Sequence, residues 1–153
     1  LLVLSHLNYA DVIYGPCLDM NTSARIQKVQ NSCIRLIFSL TRRDHVSYKL
    51  KELNWLNTYN RRKCHRDTLV YKILQNKVPV YLYQKLHFRS NIHNCNTRNA
   101  HLLQIQQHKS CLFKRSFSYN ASKIYNEISS NVKSQSSVSG FSKTLKYEIL
   151  ASM

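Results

Sequence analysis

Arg25-Ile26-Gln27-Lys28-Val29-Gln30-Asn31-Ser32-Cys33-Ile34-Arg35-Leu36-Ile37-Phe38-Ser39-Leu40-Thr41-Arg42 decides the fold class. Wound as a helix, it gathers Ile26, Val29, Cys33, Leu36, Ile37 and Leu40 into an arc of about 100°, the pattern of an amphipathic helix. Lys28, Arg35 and Arg42 stack on nearly the opposite side. Ile34 and Phe38 fall outside the main arc, so the second half is apolar on two sides and belongs at the centre of a core. One face asks for burial, the other for an anion.

The rest of the chain repeats this helical period. Residues 3–14 carry Leu4, Leu7, Ile13 and Tyr14 and stop at Gly15-Pro16, which cannot continue a helix. The second helix opens near Thr22-Ser23, either of which can cap it, and runs to about Leu40. Asp44 is placed to cap a third, with Val46, Leu50 and Leu53 on one side. A fourth spans about Thr58 to Asn76 and halts before Pro79. In it Arg62 and Arg66 share a side with Leu69 and Ile73, so either they snorkel past the core edge or the helix meets a partner. Val80 to Leu86 forms a short segment, and Phe117, Ala121, Ile124 and Ile128 share a face of another. Residues 87–110 read as a long polar loop with a strand or turn near Leu102 to Ile105. Six serines mark 129–139 as a linker, followed by a final helix over 140–153 that packs back on the core.

Composition agrees with an all-α, single-domain irregular bundle of about five to seven helices, its core over residues 1–128. The 153 residues are 43% hydrophobic, enough for a core, and two Gly and two Pro are too few for the turns of a sandwich or barrel. Lys plus Arg outnumber Asp plus Glu 23 to 7, a formal charge of +16. Such a surface repels itself unless a polyanion sits on it, and the ten Tyr, five Phe and one Trp can stack on bases. The partner class is RNA or DNA. No apolar run is long enough for a membrane span, so neither a membrane nor a small-molecule substrate is expected. Five cysteines without framework spacing fit a reducing, intracellular compartment. The chain begins with Leu and reads as a piece of something longer.

Catalytic constellations are thin. Tyr9-Ala10-Asp11-Val12 lacks the second carboxylate that a two-metal centre needs, leaving Asp11 as an ordinary helical acid. Cys64-His65 beside Arg62 and Arg66 has no third orienting group. His93, Cys95, His108 and Cys111 have ligand chemistry but not the paired spacing of a zinc site. No Gly-rich phosphate loop occurs, and the seven carboxylates stand singly. No catalytic, cofactor or metal residue is therefore assigned. The candidate nucleic-acid contacts are Lys28, Arg35, Arg61, Arg62, Arg66, Arg98, Lys114 and Arg115, since acidic partners at helical spacing are mostly missing around them.

In order, these segments resemble the region that follows the polymerase core in LINE-type (non-LTR) retrotransposon reverse transcriptases, nearest the jockey and CR1-like branches. The residues are Ser5-His6-Leu7-Asn8-Tyr9-Ala10-Asp11-Val12-Ile13-Tyr14-Gly15, Ile26-Gln27-Lys28-Val29-Gln30-Asn31 with Ile34-Arg35-Leu36-Ile37, and Leu53-Asn54-Trp55-Leu56. Tyr71-Lys72-Ile73-Leu74-Gln75-Asn76 with Pro79, Thr97-Arg98, Ser116-Phe117-Ser118-Tyr119 and Phe141-Ser142-Lys143 continue the series over nearly the whole chain. The resemblance implies a noncatalytic, thumb-side or post-thumb part of an RNA-directed DNA polymerase. The catalytic aspartates would lie upstream, the upstream polymerase domain would be a partner, and the location would be a nuclear and cytoplasmic ribonucleoprotein. One departure is plain: the family's Trp-Asn-x-Leu-Pro stands here as Tyr125-Asn126-Glu127-Ile128-Ser129. The competing expectation is a structural interaction module docked on the polymerase core or another protein, without nucleic-acid contact. Exposure of Trp55, Phe38 and the apolar side of residues 113–128 would favour it.

Overall fold

The computed structural model describes residues 2–92 and 97–152. In chain order they form α1 (Leu2–Asn8), α2 (Asp11–Tyr14), α3 (Met20–Ile37), α4 (Ser47–Glu52), α5 (Thr58–Asn76), α6 (Val80–Tyr83), α7 (Phe117–Glu127), α8 (Ser130–Lys133) and α9 (Val138–Ser152). Short 3-10 turns cover Gly15–Cys17, Arg89–Asn91 and Phe113–Arg115. No strand occurs among the described residues, only an isolated antiparallel bridge between Phe88 and Leu103. The fold is all-α, as the helical periodicity requires. Its residues divide into two compact units, one of residues 1–65 with 143–153 and the other of residues 66–142.

In the first unit α1, α3 and α4 end without glycine. Ala10, Ser39 and Asn54 adopt φ of 51°, 51° and 52°, the left-handed conformation that closes a helix by turning its last carbonyls inward. After α3, Leu40 N–H donates to the Arg35 carbonyl at 2.9 Å and Ser39 N–H to that of Leu36 at 3.4 Å. After α4, Trp55 N–H and Asn54 N–H make the same pair of bonds to Leu50 and Lys51, both at 2.9 Å. Three sequence expectations move accordingly. Residues 3–14 are two helices, because Ala10 turns left-handed between them. The second helix begins at Met20, because Asp19 caps it by accepting from Thr22 N–H at 3.3 Å. It ends at Ile37, because Ser39 cannot continue it.

The core-facing side of α3 is not the widest apolar arc. Ile34 and Gln30 are fully buried, whereas Leu36 is 83% exposed, Ile37 53% and Val29 47%. Ile34 joins Val46 and Leu50 in a cluster flanked by Phe38, Leu40, Leu53 and Trp55. Gln30 can be buried because both polar atoms of its amide are bonded: Nε2 donates to the Leu56 carbonyl at 2.9 Å and Oε1 accepts from Gln27 Nε2 at 3.0 Å. Gln27 Oε1 in turn accepts from Thr58 N–H at 2.9 Å and Thr58 Oγ1 at 2.8 Å. Two glutamines thus tie α3 to the start of α5, and a satisfied buried network fixes orientation as firmly as an apolar stripe. Asp44, expected to cap α4, instead accepts from Thr41 N–H at 2.7 Å and Thr41 Oγ1 at 2.8 Å, closing the turn before it. Val46 stands at the cap position with no side-chain bond.

In the second unit the buried residues include Val70, Ile73, Leu103, Ala121, Ile124, Ile128, Val132 and Phe141. Tyr71 stacks on Phe141 with centroids 4.1 Å apart, and its hydroxyl donates to the Gln135 carbonyl. The polar stretch 87–110 is pinned at Leu103, which is fully buried. Asn126 Nδ2 donates to the Leu103 carbonyl and Asn126 Oδ1 accepts from Leu103 N–H, both at 2.8 Å. Arg89 N–H to Leu102 and Gln104 N–H to His87 add bonds of 2.9 and 2.7 Å. The serine-rich stretch 129–139 is more than a linker: it holds α8, whose Val132 is 1% exposed. α7 stops at Glu127 without a proline after it: Ser129 holds φ −62°, close to the value a proline ring would impose.

Candidate nucleic-acid interface

The eight candidate cations fall into three situations. Lys28 on α3, Arg98 in the turn 97–100, and Lys114 and Arg115 in their 3-10 turn are exposed. The last turn is anchored where the Lys114 carbonyl accepts from Asn120 Nδ2 at 2.6 Å, so adjacent Lys114 and Arg115 ride on a fixed backbone. Arg35, two turns from Lys28 on the same side of α3, is half-buried, and its Nη2 donates to the Asp44 carbonyl at 3.4 Å. Arg66 is half-buried with its Nε enclosed.

Arg61 and Arg62 do something else. Arg62 is 6% exposed, its Nη2 is buried without a hydrogen-bond partner, and its stem lies against Gly15, where an added Cβ would meet Cδ at 3.2 Å. A Cβ at residue 15 would press on that stem, which would have to shift by a few tenths of an ångström. Arg61 and Arg62 line a cavity of about 10 Å³ with Asp11, and Asp11, 2% exposed, meets His65 Nδ1 through Oδ2 at 2.6 Å. Burial holds the Arg61 guanidinium below its ordinary value, partly offset by Asp11 and then by Cys64. Arg62, 6% exposed, is thus withdrawn from the surface where a phosphate would sit, while the charge interaction with buried Asp11 belongs to Arg61. Sequence reading missed this because Asp11 lies far in the chain from Arg61, Arg62 and His65, and the only signal was a lone acid on an otherwise apolar helical pattern.

The carboxylates are turned to internal work. Besides Asp11, the Asp19 carboxyl is held below its usual range by the Thr22 bonds of its helix cap, and the Asp44 carboxyl by its Thr41 bonds. Glu52 takes Lys49 Nζ at 2.6 Å. Aromatic surface accompanies the free cations: Tyr9, Tyr48 and Tyr59 in the first unit and Tyr81 in the second are at least half exposed.

The alternative sites gain no geometry. His93 and Cys95 lie outside the described residues, His108 sits edge-on to Tyr119 at 4.9 Å, and Cys111 is exposed. Among the described residues no three His, Cys, Asp or Glu side chains gather as metal ligands, and no helix is long and apolar enough to cross a membrane. Cys64 is buried and its neighbour His65 is engaged with Asp11. No protein-family model, curated protein or solved structure matches the chain.

Proposed function

We propose that the chain is a noncatalytic nucleic-acid-binding segment that holds RNA or DNA by its phosphates without reading sequence. The observation that carries this reading is the fate of the charges. A +16 chain commits Asp11, Asp19, Asp44 and Glu52 to caps, turns and pairs, while Lys28, Arg98, Lys114 and Arg115 stay in water. Cations so placed release counterions from a polyanion, which gives affinity and strong salt dependence. On the resemblance, the segment is the carboxy-terminal region of a LINE-type reverse transcriptase whose chemistry lies upstream. Fluorescence-anisotropy titration of labelled RNA and DNA over a range of salt tests the binding: log K should fall linearly with log salt for both. A flat salt response, or no binding, overturns the reading.

One observation favours the alternative, docking onto the polymerase domain or another protein. Val29, Leu36 and Ile37 present an apolar strip on α3 to solvent. Trp55 and Phe38, by contrast, pack against the first unit's core, and Ala121, Ile124 and Ile128 are buried. Leu36→Glu combined with Ile37→Glu should leave nucleic-acid binding intact and abolish capture of the upstream domain if docking is the function.

A further inference from the structure

We propose that the groove between α3, α4 and the start of α5, within the first unit, seats one unpaired nucleotide of a bound single strand, the base against Tyr59 and the phosphate on Lys51. This rests on the nucleic-acid reading above and adds strand state to it. The groove has a volume of about 690 Å³, within the range of sites that take small planar ligands. Among its lining residues Lys51 is the one formal charge and no carboxylate is present. An anionic ligand is admitted and a cationic one gains nothing.

The polar groups of the wall are set in advance. Asn31 Oδ1 accepts from Gln27 Nε2 at 2.9 Å, and Asn57 Oδ1 accepts from Asn60 N–H at 2.7 Å. Both amides therefore turn their Nδ2 groups to other use, and Nδ2 is a pure donor. Every nucleobase carries a carbonyl oxygen or ring nitrogen that can accept from it, so such donors hold a base without selecting one. Gln27, spent on Thr58 and its α3 neighbours, serves as rigid wall. At the groove stand two large apolar side chains that folding leaves in water: Tyr59 is 63% exposed and Met20 90%. A stacked base covers such a ring regardless of sequence. In a duplex the bases are already stacked and paired, so only a single strand can use the groove.

The test compares a single-stranded 12-nucleotide RNA with its blunt duplex, both labelled, titrated by anisotropy against the full chain and its variants. Tyr59→Ala should weaken the single strand by roughly 5- to 100-fold and leave the duplex unchanged. Tyr59→Phe, which keeps the ring, should bind the single strand like the parent. Lys51→Gln should lower the single-strand salt slope by about one unit. Circular dichroism that is the same for all variants ties the losses to the groove, and a Tyr59→Ala protein that unfolds passes the decision to Tyr59→Phe and Lys51→Gln. If both probes bind with a salt slope but Tyr59→Ala spares the single strand, or weakens both probes equally, the groove assignment fails and the general reading stands. If neither probe binds, both fall.

Discussion

Asn126 makes both bonds that a neighbouring strand would offer Leu103, donating to its carbonyl and accepting from its N–H at 2.8 Å. Asn126→Ala strands two backbone groups beside a fully buried leucine, which costs about 1–3 kcal/mol. Asn126→Asp keeps the acceptor and loses the donor, so chemical denaturation should rank it between the parent and the alanine variant. At Ser39 and Lys77 the left-handed φ of 51° and 56° is held by residues with a Cβ. Replacement by glycine relieves backbone strain of about 1–2 kcal/mol, partly offset by a more mobile unfolded chain. Ser39→Gly and Lys77→Gly should each raise Tm by a few degrees, and a fall would show that local contacts outweigh the strain.

A helix is easier to recognise in a sequence than its rotation. The helical period of residues 25–42 is real as far as Ile37, yet three residues of its widest apolar arc, Val29, Leu36 and Ile37, stand largely in water. Hydrophobicity counts Gln27 and Gln30 as surface, whereas their amides find carbonyl, hydroxyl and N–H partners at Leu56 and Thr58, which no window of the sequence contains. The minor apolar side, Ile34 and Phe38, was visible and proved to be the buried one. Ile34→Ala should therefore cost about 2–5 kcal/mol, and Leu36→Ala, at 83% exposure, about 0.5 kcal/mol or less. Reversal of that order in urea melts would restore the wheel's choice. Caps were misplaced for a related reason, since several polar residues near each helix start compete and geometry selects one. The Thr41–Asp44 turn carries a pH signature. Its hydrogen bonds hold the Asp44 carboxyl below the ordinary value, so their contribution is present above the unfolded pKa of about 3.9 and is lost as pH falls through the lowered folded value. Asp44→Asn should differ from the parent in Tm at pH 7, with the difference shrinking toward pH 2.

At the scale of the molecule the charge surplus was legible from composition, but its division between surface and interior was not. Eight cations looked alike along the chain; burial separates Lys28, Arg98, Lys114 and Arg115 from Arg62, and that difference is measurable. Lys28→Ala and Lys114→Ala should each reduce the slope of log K against log salt by up to about one unit, uniformly over RNA sequences, with Tm nearly unchanged. Arg62→Ala should do the reverse. It removes a stem packed on Gly15 and a charge beside buried Asp11, so stability should fall by about 1–3 kcal/mol while the salt slope of the folded protein stays where it was. The two classes cannot be exchanged by general electrostatics, because each substitution removes one positive charge from the same chain. If Arg62→Ala lowered the slope as Lys28→Ala does, at a temperature where both variants are folded, net charge alone would govern binding and the placement of the cations would be irrelevant to it.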